Sequence, residues 1–166
     1  MATKENLKAA FAGESQANRM YLAFAKKAED EGLKQIAKLF RATAEAETIH
    51  AHAHFRVMGG IQATADNLKT AAAGEAYEFE SMYPGFVEEA EKEGNKPAAT
   101  SFRYAMDAER VHHGLYLKAL ESAQAGGDLE AKPVYLCPFC GNIEIGEVPE
   151  SCSVCGAPRE KFVEVK

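Results

Sequence analysis

Two stretches, AETIH at 46–50 and AERVH at 108–112, each place a glutamate and a histidine three residues apart. That separation keeps both on one face of a helix. Glu47 and His50 share the stripe of Phe40, Thr43 and Val57, and Glu109 and His112 lie between Met106 and Tyr116. Glu14 falls between Phe11 and Tyr21, and Glu75 and Glu78 fall between Ala72 and Met82. One Glu-x-x-His pair is expected roughly once by chance, so a single match means little. An isolated buried glutamate is most often paired with Arg or Lys, but here five carboxylates share one interior with no cation placed to neutralise them. Left bare, their repulsion and desolvation would rival the ~5–15 kcal/mol that holds a domain together. Two divalent or trivalent cations remove the conflict. Inward glutamates from two helices with Glu-x-x-His from two others is the ligand set of carboxylate di-metal bundles. Oxygen-rich ligation with one or two imidazoles suits iron or manganese better than a soft metal.

A second cluster uses different chemistry. All four cysteines lie in the last 30 residues, in CPFCG at 137–141 and CSVCG at 152–156. A reducing cytosol disfavours disulfides, so Cys137, Cys140, Cys152 and Cys155 point to a tetrahedral four-thiolate metal site. The glycine after each pair permits the turn that aims backbone N–H groups at sulfur. About 33 residues bury too little surface to fold alone, so the metal supplies much of the folding energy. Zinc accepts the same spacing. Attachment to a redox bundle favours iron, which passes single electrons where zinc cannot.

The elements that must carry these residues are mostly helical over 3–122. The first helix opens at Thr3, buries Leu7, Phe11, Tyr21, Phe24 and Ala28, and stops at Gly32; the second carries Leu33, Ile36, Phe40, Thr43 and Val57 and ends at Gly59-Gly60. Glycine accepts the left-handed conformation after a last turn. The third begins near Asp66, presents Leu68, Ala72, Phe79, Met82 and Phe86, and is expected to bend at Pro84, which donates no hydrogen bond to residue 80. EGNKP at 93–97 ends it, with Asn95 capping a fourth helix that shows Phe102, Ala105, Met106, Tyr116 and Leu120. Short connections make neighbours antiparallel, which gives a four-helix bundle. The link between the second and third helices must return along the bundle or cross to a partner chain. The halves repeat: AGE at 12–14 recurs at 73–75, AETIH as AERVH, and Met20-Tyr21 as Met82-Tyr83, at a displacement of 61 or 62 residues. His52 and His113 point off the stripe towards solvent, while His54, one turn beyond His50, is placed to orient it.

Composition narrows the class. An apolar fraction of 46% is ordinary for a globular protein, and the net charge of −6 with no basic run argues against nucleic acid or an anionic membrane surface as partner. The start MATKENLKAAF lacks the apolar core of a secretory signal, and no stretch has the ~18–20 apolar residues of a membrane span. A cytoplasmic protein is expected. The organisation predicted is a mainly α chain: a bundle over 1–126, a linker over 127–133 and a small β, four-cysteine domain over 134–166.

FAGESQANRMY, AEAETIH, AAGEAYEFESMYP, DAERVH, CPFCG and CSVCG together resemble the rubrerythrin family, over nearly the whole chain. The resemblance implies a ferritin-like antiparallel di-iron bundle followed by a rubredoxin-like domain. It implies bundle ligands at Glu14, Glu47, His50, Glu75, Glu78, Glu109 and His112, with Glu47 and Glu109 bridging and one iron using His50 when reduced and Glu78 when oxidised. Tyr21 and Tyr83 match tyrosines that line the family's site. The activity implied is reduction of hydrogen peroxide to water in oxidative-stress defence, with electrons relayed through a single iron on the four cysteines. The catalytic residues would be Glu47, Glu78, His50, Tyr21 and Tyr83. Rubredoxin or an NAD(P)H-dependent reductase is the expected donor. Ser153 stands where the family often has proline, and Asn142 where an aromatic is common. These departures bear on the tail's potential or docking and leave every ligand in place. A long bundle is expected to separate tail and di-iron site within one chain, so a homodimer, head-to-tail or domain-swapped, would bring them together. The rival reading is a ferroxidase or iron store of the ferritin kind, which has no use for an attached one-electron carrier. A third is a zinc-stabilised partner-binding module.

Overall fold

The computed structural model describes residues 2–166. It divides into two compact units, the first ending at Gln62 and the second running Ala63–Lys166. The division falls between the second and third helices.

The first unit is a hairpin of α1 (Ala2–Asp30) and α2 (Lys34–Val57). Gly32, at φ +78°, closes α1: its N–H bonds to Glu29 O at 2.9 Å and that of Leu33 to Ala28 O at 2.8 Å. Alanines form the seam, with Ala25, Ala28, Ala37, Ala44 and Ala51 all buried, and their small side chains let the helices approach closely. Asn18 is the one buried polar residue there among the described residues, and its Nδ2 donates to Ala44 O at 2.6 Å and Thr48 Oγ1 at 2.7 Å. The large apolar residues expected in the core sit beside this seam instead. Phe24 is 44% exposed, Ile36 47% and Val57 72%, because two helices can cover only one line of contact.

In the second unit, α3 (Thr64–Tyr77), a π-helical turn (Glu78–Met82) and α4 (Tyr83–Lys92) pack along α5 (Lys96–Gln124). Asn95 caps α5 as expected, its Oδ1 accepting from Ala98 N–H at 3.2 Å. The bend expected within one helix at Pro84 is instead a π turn just before it, with Pro84 in the first turn of α4. The Tyr83 N–H reaches back five residues to Glu78 O. The repeat supplies the reason. Glu14 and Met20 are six positions apart, whereas their counterparts Glu75 and Met82 are seven apart. One inserted residue inside a helix is absorbed as a single π turn.

The tail begins with β1 (Val134–Leu136), which pairs antiparallel with β2 (Ile143–Ile145) and β3 (Val163–Val165) in the order β2-β1-β3. A 3-10 turn (Arg159–Lys161) precedes β3.

Candidate metal centres

The two halves of the repeat each gather a triad of potential ligands. Glu14, Glu47 and His50 bring their ligand atoms within 4.8 Å of one another in the first unit, and Glu75, Glu109 and His112 do so in the second. In each, the imidazole Nδ1 faces the glutamate one turn earlier: His50 to Glu47 Oε2 at 3.0 Å, and His112 to Glu109 Oε2 at 2.6 Å. Glu78 belongs to neither triad, but it lies close enough to Glu109 and His112 to feel both charges.

The second triad is the more closed. The His112 side chain is 17% exposed against 56% for His50. Burial, then a hydrogen bond from Glu109 and the Glu109 charge, push the Glu75 carboxyl up to about 7, with His112 opposing. Glu78 is raised by burial and then by Glu109. Burial, followed by Glu78, Glu109 and Glu75, raises the Tyr83 hydroxyl and keeps it protonated beside three carboxylates. Crowded acids that hold protons unless a cation replaces them are what a carboxylate metal centre looks like. The donor set thus fits hard metal ions.

The four cysteines also meet. Their Sγ atoms lie within 4.8 Å of one another, with Cys137···Cys155 at 3.6 Å and Cys140···Cys152 at 3.5 Å. A tetrahedral site with metal–sulfur bonds of ~2.3 Å has S···S edges of about 3.8 Å, so the cage fits. The two knuckles are built alike. Gly141 N–H bonds to Cys137 O at 3.0 Å and Gly156 N–H to Cys152 O at 2.9 Å, each glycine at positive φ. Burial raises the Cys137 thiol, but the backbone N–H groups of Phe139 and Cys140 and the neighbouring thiols outweigh it and bring it down to about 7. Burial raises Cys140 and Cys155. Asn142 is fully buried behind the first knuckle, its Nδ2 on Glu144 Oε1 at 2.9 Å and its Oδ1 without a partner.

Two expectations are overturned. Tail and bundle are not far apart within one chain: His112 Nε2 meets Gly141 O at 2.9 Å. The linker folds the first knuckle back onto α5, where the carbonyl after Cys140 finds the free ring nitrogen. A ligating histidine commonly donates its second N–H to such an acceptor. His113, expected in solvent, is half-buried; its Nδ1 faces Ala72 O at 2.8 Å and its ring lies 5.6 Å from Phe79. It ties α5 to α3. His52 is exposed as expected. The Gly141 carbonyl left no mark in residue type, since its role is carried by backbone. Asn18 did leave one, a polar residue one turn after Glu14 on an apolar stripe.

Comparison with known proteins follows the same division of chemistry. The family model described as Rubrerythrin matches residues 5–120, and that described as Rubrerythrin, rubredoxin-like domain matches residues 135–163. The chain is 40% identical to Nigerythrin of Nitratidesulfovibrio vulgaris, covering 97% of this chain and 85% of that one. It is 36% identical to Rubrerythrin-2 of Clostridium acetobutylicum, covering 96% and 95%. The solved partially reduced state of nigerythrin superposes with a TM-score of 0.60 at 39% identity, covering 98% of this chain and 86% of that one. No helix among the described residues is long and apolar enough to cross a membrane.

Proposed function

This chain belongs to the rubrerythrin family, iron-binding oxidoreductases with a paired-metal centre and a rubredoxin-like centre, and from that premise we propose that it is a hydrogen peroxide reductase. Peroxide takes up two electrons and two protons and leaves as two waters. Iron held by Glu14, Glu47, His50, Glu75, Glu78, Glu109 and His112 would supply one electron per ion and polarise both oxygens.

The observation that carries this reading is the hydrogen bond from His112 to the carbonyl beside Cys140. It joins a four-thiolate knuckle to a carboxylate triad through one imidazole, the layout of a one-electron relay feeding a two-electron site. An iron store needs no such relay. The chain's own groups then divide the work. Glu47 and Glu109 balance the charge of two cations, and Glu78, on the π turn, adds a further carboxylate to the second triad. His50, more than half exposed, has room to move; Glu78 and His50 are the residues proposed to exchange as ligands. Tyr83, protonated among carboxylates, holds a hydroxyl proton at the site, and Tyr21 is its counterpart in the first half. Cytoplasmic location keeps the four thiols reduced, and rubredoxin or an NAD(P)H-dependent reductase would refill the tail.

Stopped-flow mixing of anaerobically reduced protein with hydrogen peroxide and, separately, with dioxygen is the test. The peroxidase oxidises faster with peroxide. Faster oxidation by dioxygen, with mineral forming beyond two bundle irons, would establish the ferroxidase instead.

A further inference from the structure

We propose that Asn142 is a positioning residue for the electron route, its buried side-chain amide holding the Gly141–Asn142 peptide between the Cys140 sulfur and His112. The inference rests on reading the His112 contact as that route. What it adds is the side chain that keeps the route in register.

The two knuckles supply the comparison. Each reads C-x-x-C-G-x, and the last position is Asn142 in the first and Ala157 in the second. Both residues do the same backbone work. Cys137 N–H bonds to Asn142 O at 2.8 Å, and Cys152 N–H to Ala157 O at 2.7 Å. The N–H of Asn142 faces the Cys140 sulfur as a donor, and that of Ala157 faces Cys155. Alanine therefore suffices to build a knuckle, and the amide of Asn142 is surplus to the cage.

Nor is that amide needed to fill space. Asn142 is fully buried, its Nδ2 donates to Glu144 Oε1 at 2.9 Å, and its Oδ1 has no partner. A buried acceptor left unpaired is costly, and an apolar side chain would occupy the same place without one.

What distinguishes the first knuckle is its neighbour on α5. The carbonyl of Gly141 and the N–H of Asn142 belong to one planar peptide unit. The oxygen of that unit meets His112 Nε2 at 2.9 Å, and its N–H points at sulfur. One rigid group thus joins a thiolate to an imidazole whose other nitrogen lies 2.6 Å from Glu109 Oε2. Among the described residues, no side chain makes such a bond to the Gly156 carbonyl. Electronic coupling across a hydrogen bond falls steeply as the gap widens, so this peptide has to be kept from rocking. Its glycine end, at φ +82°, offers no side chain to hold it. The Asn142 end does, through Glu144, which lies mid-strand in β2 opposite Tyr135 of β1 and is fixed by that pairing. The step served moves one electron. The four-cysteine iron goes from ferrous to ferric, a bundle iron goes from ferric to ferrous, and no atom leaves either site.

Three variants of the full chain test the proposal. Asn142→Ala copies the second knuckle, Glu144→Ala removes the anchor, and Glu144→Gln keeps an oxygen for Nδ2 to bond. The first readout needs no redox chemistry. In zinc-loaded protein, hydrogen exchange of the backbone N–H at position 142, followed by NMR, should speed about ten-fold in both alanine variants. It should stay at the wild-type rate in Glu144→Gln, and the Ala157 N–H should not change in any of the three. In iron-loaded protein all three should keep the tail chromophore. After one equivalent of peroxide, tail re-oxidation should slow several-fold in the alanine variants and not in Glu144→Gln, while ferricyanide oxidises every tail at the wild-type rate. Unchanged exchange at position 142 in Glu144→Ala, or wild-type re-oxidation in both alanine variants, overturns the proposal. Loss of tail iron in Asn142→Ala would make the amide part of the cage and overturns it as well. Wild-type re-oxidation of the tail in His112→Gln refutes the route itself, a separate outcome.

Discussion

His50 and His112 occupy matched places in the repeat, yet the His50 side chain keeps 56% of its surface exposed and His112 only 17%. His50 has the Glu47 carboxylate on Nδ1. His112 has Glu109 on Nδ1 and the Gly141 carbonyl on Nε2, so its ring is fixed at both ends. The second triad also gains Glu78 from an inserted residue and a Tyr83 hydroxyl among its acids. One duplicated motif has thus been given two jobs. The first half leaves its histidine open to solvent; the second ties its histidine to the four-cysteine tail.

The largest effect expected is loss of a bridging carboxylate. Glu47→Ala and Glu109→Ala should each abolish paired-iron binding and peroxide reduction, a greater loss than the ~10–100-fold typical of an outer partner. Both should leave the tail's iron chromophore intact, because the tail folds around its own metal. Without metal that cost should disappear. Glu109→Ala removes a charge pressed against Glu75 and should be neutral or stabilising in a thermal melt. If either substitution destabilises the apo protein as much as the loaded one, that glutamate is an ordinary core residue.

The next effect separates the two histidines. His112→Gln and His50→Gln each remove one imidazole, but only the first also cuts the link to Gly141. Re-oxidation of the reduced tail by peroxide should slow several-fold more in His112→Gln, followed at the tail's visible absorption. Equal slowing would remove the distinction between the halves.

A smaller effect follows from protonation. The Glu75 carboxyl is raised in the fold from 4.5 to about 7. Its contribution to stability is therefore fully present below pH 4.5 and is lost as pH rises through 7. Apo protein should melt a few degrees lower at pH 8 than at pH 5.5, and Glu75→Gln should flatten that slope. A melt that rises over this range in wild type contradicts the assignment. The smallest difference concerns how the helices are locked. Asn18→Ala removes the donor to Ala44 O and Thr48 Oγ1 and should cost about 0.5–1.5 kcal/mol. Arg110→Ala, which removes a guanidinium 5.4 Å from the Phe79 ring at the corresponding place in the second half, should cost about 0.5–1 kcal/mol, both read by denaturant titration.

Much of this was legible before any coordinates. The helices and the Asn95 cap followed from periodicity, and the residues of the two triads from carboxylates that a core cannot hold unpaired. The π turn was present in the sequence as a repeat displacement that changes from 61 to 62 between Glu75 and Met82, although Pro84 drew attention to the wrong residue. The Gly141 contact was not legible, because it joins a backbone carbonyl to a ring 29 residues away. Nor was the exposure of Phe24, Ile36 and Val57, since a periodic stripe predicts that a face is to be covered and not how many helices of one chain will cover it.

The most direct measurement is single-turnover stopped-flow of the fully reduced protein with one equivalent of hydrogen peroxide, recording the tail iron's absorption against peroxide remaining. A relay through His112 predicts that the tail re-oxidises within the same turnover in which peroxide disappears. A tail that stays reduced while peroxide is consumed, turnover after turnover, would contradict it.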